Sequence, residues 1–331
     1  MESLILLNPG PTNTFPEVKE QQNRYTDTCH RTREFEEIYS SLKSRLLTFF
    51  AGHLSDEWEV VILAGSGTSA LESMIVSLVP EGVHLLVAGK YGDRAANIFQ
   101  SYNIGFTQEV CQDVFSTKSG DNTNVYFVEN ETTTGEKFSL KEMTQKFPKA
   151  SFFIDATSAF GATDYYPYLD KIKAISFCSN KCLQAPAGLG VVIYRKDAKI
   201  QKRPSYTLNV QTYRDKMPFT IPPQLVAALE KSLSNYKNQE TIFNTRRDRL
   251  IEDFEKLGIK CVNAVPSNSI VGFQHPKLSY DEIEIILKRL GIVIYSGVPG
   301  ISRSFRVATM SVLFDSHYEQ VLEAFRETCV R

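Results

Sequence analysis

Val60-Val-Ile-Leu-Ala64 is an unbroken apolar run that stops at Gly65-Ser-Gly-Thr68 and passes into Leu71, Met74, Ile75, Leu78 and Val79, one apolar face at helical spacing. No other stretch constrains the fold as strongly. A short run that is apolar at every position reads as a strand buried on both faces, and a strand that turns through glycines into a helix is half of an α/β unit. Similar runs at 83–88, 125–128, 151–154 and 174–178 predict further strands, with helices or loops between them. The expected fold class is α/β, a mostly parallel sheet with helices on both faces. Gly188-Leu-Gly190 and the run 191–194 predict a turn and a strand that pairs antiparallel within that sheet.

On either side of this block the pattern changes. Phe35, Ile38, Leu42, Leu46 and Phe49 repeat at helical spacing, with Gly52 as the stop. Residues 196–223 are polar, proline-marked and irregular, a surface loop, and a long helical segment follows over 224–257. Then come a strand at 270–274, a helix at 280–290 stopped by Gly291, strands at 292–295 and 305–308, and a helix at 317–330. The 331 residues, 42% of them hydrophobic, suffice for two cores. The expected division is a large domain over 15–235 and a small C-terminal α+β domain over 236–331 together with 1–14.

Charge and composition exclude several function classes. A formal net charge of −1 without runs of like charge argues against nucleic acid or an anionic membrane as the main partner. Six cysteines and five histidines are scattered without metal-ligand spacing, so no metal site is expected. Leu4-Ile-Leu-Leu7 is too short for an export signal, and no run reaches the ~20 residues of a membrane helix. The expectation is a soluble, cytoplasmic protein with reduced thiols.

Lys181 and Asp155 carry the chemistry. Lys181 lies in Ser179-Asn-Lys-Cys182, just past one apolar run, and Asp155 ends another, roughly 26 residues upstream. Taken singly, the first reads as an exposed loop lysine and the second as a turn or helix-cap aspartate. Together, at the carboxyl ends of predicted strands, they occupy the place where open α/β sheets bind ligands. Pyridoxal phosphate needs such a pair: an amine to hold its aldehyde and an anion to keep its ring nitrogen protonated. Gly65-Ser-Gly-Thr68 fits a phosphate at a helix N-terminus, although many strand-to-helix turns carry two glycines for steric reasons alone. A dinucleotide loop is a poor match: Ala70 replaces the third glycine and no acidic residue ends a second strand. Tyr91 follows a strand end and could lie over a flat ring or simply pack. Arg306, within the apolar strand Ser304-Phe-Arg-Val-Ala308, requires either an intrachain carboxylate or a substrate anion.

Eight segments appear in the order expected of class V aminotransferases, pyridoxal-phosphate enzymes of fold type I, and the chain resembles that family over nearly its whole length. They are Asn8-Pro-Gly-Pro11, His30-Arg-Thr-Arg-Glu-Phe35, Ala64-Gly-Ser-Gly-Thr-Ser-Ala-Leu-Glu72, Tyr91-Gly-Asp-Arg94, Glu131-Thr-Thr-Thr-Gly135, Ile154-Asp-Ala-Thr-Ser-Ala-Phe-Gly161, Ser179-Asn-Lys-Cys182 and Phe305-Arg-Val307. The resemblance implies that Lys181 bonds to pyridoxal 5′-phosphate and acts as general base and acid, and that Asp155 pairs with the ring nitrogen. It implies a phosphate cup of Ser66, Gly67 and Thr68 helped by Asn180, Tyr91 stacked on the ring, and Thr132 beside it. Thr220 would reach the phosphate of a second subunit's cofactor, making a homodimer with shared sites, and Arg306 would hold the substrate anion.

The reaction so implied moves an amino group from a small-molecule donor to a keto acid, with 2-aminoethylphosphonate and pyruvate first. Arg31 and the backbone around Gly10 are further candidates for holding the phosphonate. Alanine–glyoxylate or serine–pyruvate exchange is the alternative. A cysteine desulfurase-like lyase and a non-catalytic scaffold are the remaining ones. The chain departs from its relatives at Met217, usually aromatic, at Ala308-Thr-Met310, and in a shortened loop between Lys181 and Thr220. All three lie where substrate would be selected.

Overall fold

The computed structural model describes residues 4–214, 217–236 and 239–330. Its main sheet has seven strands: β1 (Trp58–Ala64), β2 (Val83–Val87), β3 (Phe106–Val110), β4 (Asn124–Val128), β5 (Ser151–Asp155), β6 (Ile172–Cys178) and β7 (Leu189–Arg195). Their spatial order is β1-β7-β6-β5-β4-β2-β3. As expected, β7 is antiparallel, to both β1 and β6, and every other pairing in the sheet is parallel. The carboxyl ends of β1, β2, β5 and β6 therefore meet along one edge.

The unbroken apolar runs have a simple cause: both faces of the sheet are covered. Val60 and Ile62 enter one core, while Val61 and Leu63, pointing the other way, enter a second. Helix α1 (Pro16–Arg24) packs on the outside of the first layer. That layer's core holds Phe35, Leu42, Leu46 and Phe50 of α2 (Arg33–Ala51), each burial contributing about 1.5–3 kcal/mol. Thr32 caps α2 by accepting the Phe35 amide at 3.3 Å, and Gly52 ends it at φ 55°. On the opposite face lie α3 (Gly67–Leu78) and α4 (Lys90–Ser101); α5 (Leu140–Lys146) and α6 (Pro223–Ser234) return to the α2 side.

The C-terminal part has its own core. Helices α7 (Gln239–Lys256), α8 (Tyr280–Arg289) and α9 (Tyr318–Val330) accompany an antiparallel sheet of β8 (Lys260–Cys261), β9 (Ile270–Gln274), β10 (Tyr295–Ser296) and β11 (Ser304–Ala308), in the order β8-β9-β11-β10. Phe254 lies 4.7 Å from Phe273 and 4.5 Å from Phe325, ring to ring. The N-terminal Ile5–Leu6 pairs with Ile292–Val293, and the Ala308 amide donates to Leu7 O at 2.7 Å. Asn8-Pro-Gly-Pro11 is thereby led from the C-terminal core to the main sheet.

Three elements differ from expectation. The helical segment over 224–257 is two helices, α6 and α7, because their buried faces serve different cores. The strand over 292–295 is split: Ile292–Val293 joins the N-terminal strand and β10 joins β11. β3 was not anticipated, since an edge strand buries little and Thr107-Gln-Glu109 offers no apolar run.

Candidate active site

The carboxyl edge of the main sheet forms a cleft of about 440 Å³, within the range for small-ligand sites. Ser66, Gly67 and Thr68 line it from the end of β1, Tyr91 from α4, Asp155 from the end of β5, and Asn180 and Lys181 from the β6–β7 connection. Seven of the ten expected site residues thus converge.

The α3 N-terminus opens on the cleft and leaves its positive end without a neutralising side chain. Ser66 is its N-cap: its hydroxyl accepts the Ser69 amide at 3.3 Å, and the Ser69 hydroxyl accepts the Ser66 amide at the same distance. No acidic residue stands in the first turn to neutralise the helix dipole. The turn is packed tightly against the sheet. A Cβ on Gly67 would lie 3.1 Å from Thr157 Cγ2, and one on Gly190 would lie 2.6 Å from Ser66 O.

Asp155 is 2% exposed, and burial pushes its carboxyl above the ordinary range. The Thr157 hydroxyl and amide, at 2.5 and 2.9 Å, and the charges of Arg94 and Lys181 act against that rise. Both Thr157 donors reach Oδ1, so Oδ2 has no protein donor among the described residues. A cationic ring N–H is a fitting partner for that oxygen. Lys181 Nζ donates to Pro9 O, and Gly10, at φ +111°, lies against the lysine stem. A Cβ on Gly10 would come within 2.6 Å of Lys181 Cδ, a contact the flexible lysine stem relieves by shifting, so it is the backbone angle that favours glycine there.

Tyr91 is positioned by a carboxylate that sequence reasoning left without a role. Glu131 is buried and accepts the Tyr91 and Gly92 amides at 3.1 and 3.3 Å, serving as the missing cap of α4. It also accepts the Thr133 hydroxyl at 2.5 Å. Burial pushes Glu131 up, and these hydrogen bonds resist the rise. Thr132 and Arg306 lie together outside the cleft lining: Arg306 Nη1 donates to Thr132 O, and Nε donates to Ser296 O at 2.7 Å. The Tyr295 ring is 4.9 Å from the guanidinium. Arg306 is 5% exposed, and no carboxylate pairs with it among the described residues. Burial lowers its pKa, with Tyr295, Tyr91 and Glu131 opposing.

Thr220 stands apart. It is exposed and lines a different pocket with Tyr213 and Phe219. Arg31 is likewise remote, donating to Met217 O at 3.4 Å. Thr309 and Met310, in the segment that departs from the family, are fully buried. Thr309 Oγ1 donates to Asn268 O at 2.6 Å, and Met310 O accepts Gln184 Nε2 at 2.7 Å. Their side chains are occupied by packing.

Two polar cleft residues were given no role from sequence, Thr157 and Arg94. The first had a local signal, a hydroxyl two residues after Asp155, the spacing at which an aspartate accepts a nearby donor. The second lies three residues after Tyr91, hence on the same face of α4. The buried thiols of Cys178 and Cys182 are pushed by burial up to about 11 and about 12, so both stay protonated at neutral pH. That disfavours a thiolate nucleophile. Among the described residues there is no cluster suited to a metal ion, and no helix long and apolar enough to cross a membrane.

A model of the family described as aminotransferase class-V matches residues 5–210, more than half of the sequence. The chain is 29% identical, over 99% of its own length and 99% of the relative's, to a 2-aminoethylphosphonate–pyruvate transaminase of Bacteroides fragilis. In fold it is similar to a subgroup IV aspartate aminotransferase of Thermus thermophilus, with TM-score 0.85, 24% identity and 98% of each chain covered. An alanine–glyoxylate aminotransferase of Nostoc sp. also gives TM-score 0.85, at 19% identity, with 100% of this chain and 96% of that one covered.

Proposed function

The chain belongs to the class V aminotransferases, pyridoxal-phosphate-dependent transaminases, and from that premise we propose that it moves the amino group of 2-aminoethylphosphonate to pyruvate. The observation that carries the reading is the meeting of Lys181, buried Asp155 and an acid-free helix N-terminus in one cleft. Full-length relatives named for this reaction support the choice of donor.

When bound, pyridoxal phosphate supplies an aldehyde that condenses with amines and a ring that takes up the electron pair left when a proton departs from the substrate carbon. The chain supplies the rest. The amides of Gly67 and Thr68 and the hydroxyls of Ser66 and Thr68 would hold the phosphate. Asp155 keeps the ring nitrogen protonated. Tyr91, steadied by Glu131, fixes the plane of the ring. Lys181 Nζ takes the proton from the amine-bearing carbon of the donor and delivers it back as general acid. The donor leaves as an aldehyde before pyruvate enters and leaves as alanine, so the kinetics are ping-pong. Arg306 holds the phosphonate in one half-reaction and the carboxylate in the other.

The deciding measurement is kcat/KM for 2-aminoethylphosphonate against serine and alanine, with pyruvate or glyoxylate as acceptor. We expect the phosphonate to lead. A ratio below one would replace this donor with alanine–glyoxylate or serine–pyruvate exchange while leaving the transaminase intact. Arg306→Ala should raise KM for every anionic substrate by on the order of 100-fold, the scale of one or two charged hydrogen bonds. Arg306→Lys should rescue it poorly, because a point charge cannot also satisfy Ser296 O and Thr132 O.

The active species is a homodimer in this reading. Thr220 is exposed and away from its own chain's cleft, which suits a residue that serves a second copy. Sedimentation during turnover should give a dimer, and a fully active monomer would overturn the shared site.

A further inference from the structure

Arg94 is an exposed cation on α4 that faces the positive end of another helix. Its Nη1 donates to Thr68 Oγ1 at 3.1 Å, in the first turn of α3. Its guanidinium carbon is 4.8 Å from the centre of the Tyr91 ring. It acts on Asp155 too, drawing that carboxyl down more strongly than Lys181 does. One side chain therefore touches or influences the phosphate end, the ring face and the acidic end of the same cleft.

The electrostatics of this placement are one-sided. The N-terminus of α3 carries partial positive charge and no acidic residue in its first turn. Among the described residues no carboxylate pairs with Arg94, which is held there by a hydroxyl and an aromatic face. Two like charges are brought together with no carboxylate in contact with Arg94 among the described residues, and an anion shared by both would relieve the repulsion. A phosphate has the oxygens to accept from the guanidinium and the helix amides at once.

We propose that Arg94 is a phosphate-holding residue of the cofactor site, joining Thr68 and the amides at the start of α3; this rests on the reading that the cleft takes pyridoxal phosphate. Arg94 contributes to the grip on the phosphate, while Lys181 and Asp155 grip the rest of the molecule.

The test compares two ligands that differ only in the phosphate. Apo-protein is titrated with pyridoxal phosphate and with pyridoxal, following absorbance, in wild type, Arg94→Gln and Arg94→Met. Both variants keep a helix-compatible side chain at an exposed position. Expected is a loss of about ten- to a hundredfold in affinity for pyridoxal phosphate, the worth of a charge-assisted hydrogen bond, with pyridoxal affinity unchanged. Equal losses for both ligands would make Arg94 a partner of Tyr91 alone and overturn the proposal, as would no loss in either variant. Wild-type protein that binds neither ligand would overturn the cofactor reading itself, a result distinct from the other two.

Discussion

Lys181→Ala should lose about 10⁴-fold or more in turnover with every amino donor, because both the covalent anchor and the proton carrier are removed at once. The fold should survive. Lys181 lies in the connection between β6 and β7, where its Nζ donates to Pro9 O and its stem lies against Gly10. Loss of activity should therefore come with a nearly unchanged melting temperature of the ligand-free protein. Borohydride treatment of wild-type protein loaded with cofactor should fix a pyridoxyl group on the peptide containing Lys181. No label should appear there in the variant. Labelling at another lysine would reject the assignment, and no spectral change with any amine would favour a non-catalytic scaffold.

For Asp155→Asn the expected result is a protein that still binds cofactor but turns over about 10²–10³-fold more slowly, the usual effect of removing one preorganised electrostatic partner. The amide oxygen can still accept from the Thr157 amide and hydroxyl, so local geometry is kept. What is lost is the negative charge that keeps the ring nitrogen protonated. The sign of the stability effect is opposite to that of the activity effect. In the ligand-free protein burial holds the Asp155 pKa above its ordinary value, so the ionised form is a cost to the fold above that pKa, relieved as pH falls through it. An asparagine removes that cost, and the ligand-free variant should melt no lower than wild type at neutral pH. Cofactor binding by the wild type should weaken as pH falls through the same raised value, because a neutral carboxyl cannot pair with a cation. Near-normal turnover in Asp155→Asn would reduce Asp155 to a turn residue.

The elements that sequence made legible share a physical property. β1 and β6 read clearly because a strand covered on both faces is apolar at successive positions, and α2 because its buried stripe recurs at helical spacing. β3 was illegible since an edge strand is mostly in water, and its residues carry the polarity of a loop. The division of 224–257 into α6 and α7 was hidden because both helices are amphipathic, and only the positions of two cores tell them apart.

Within the site, Asp155 and Lys181 were visible because strand ends are marked by where apolar runs stop, and the ends of parallel strands share an edge. Arg94 and Thr68 are 26 positions apart, and Lys181 and Pro9 are 172 apart. No local pattern encodes either contact. The first depends on α4 following β2 in such a way that its first turns face the start of α3. The second depends on the N-terminal segment pairing with Ile292–Val293 before it crosses to the main sheet. The α/β class, the polarity of the carboxyl edge and the presence of an amine and a carboxylate along it could be read along the chain, since each follows from burial and residue type. The contacts of Gly10 with Lys181, of Glu131 with the Tyr91 amide and of Arg94 with Thr68 arise only on folding, because each is a meeting of segments whose separation in sequence carries no information about distance.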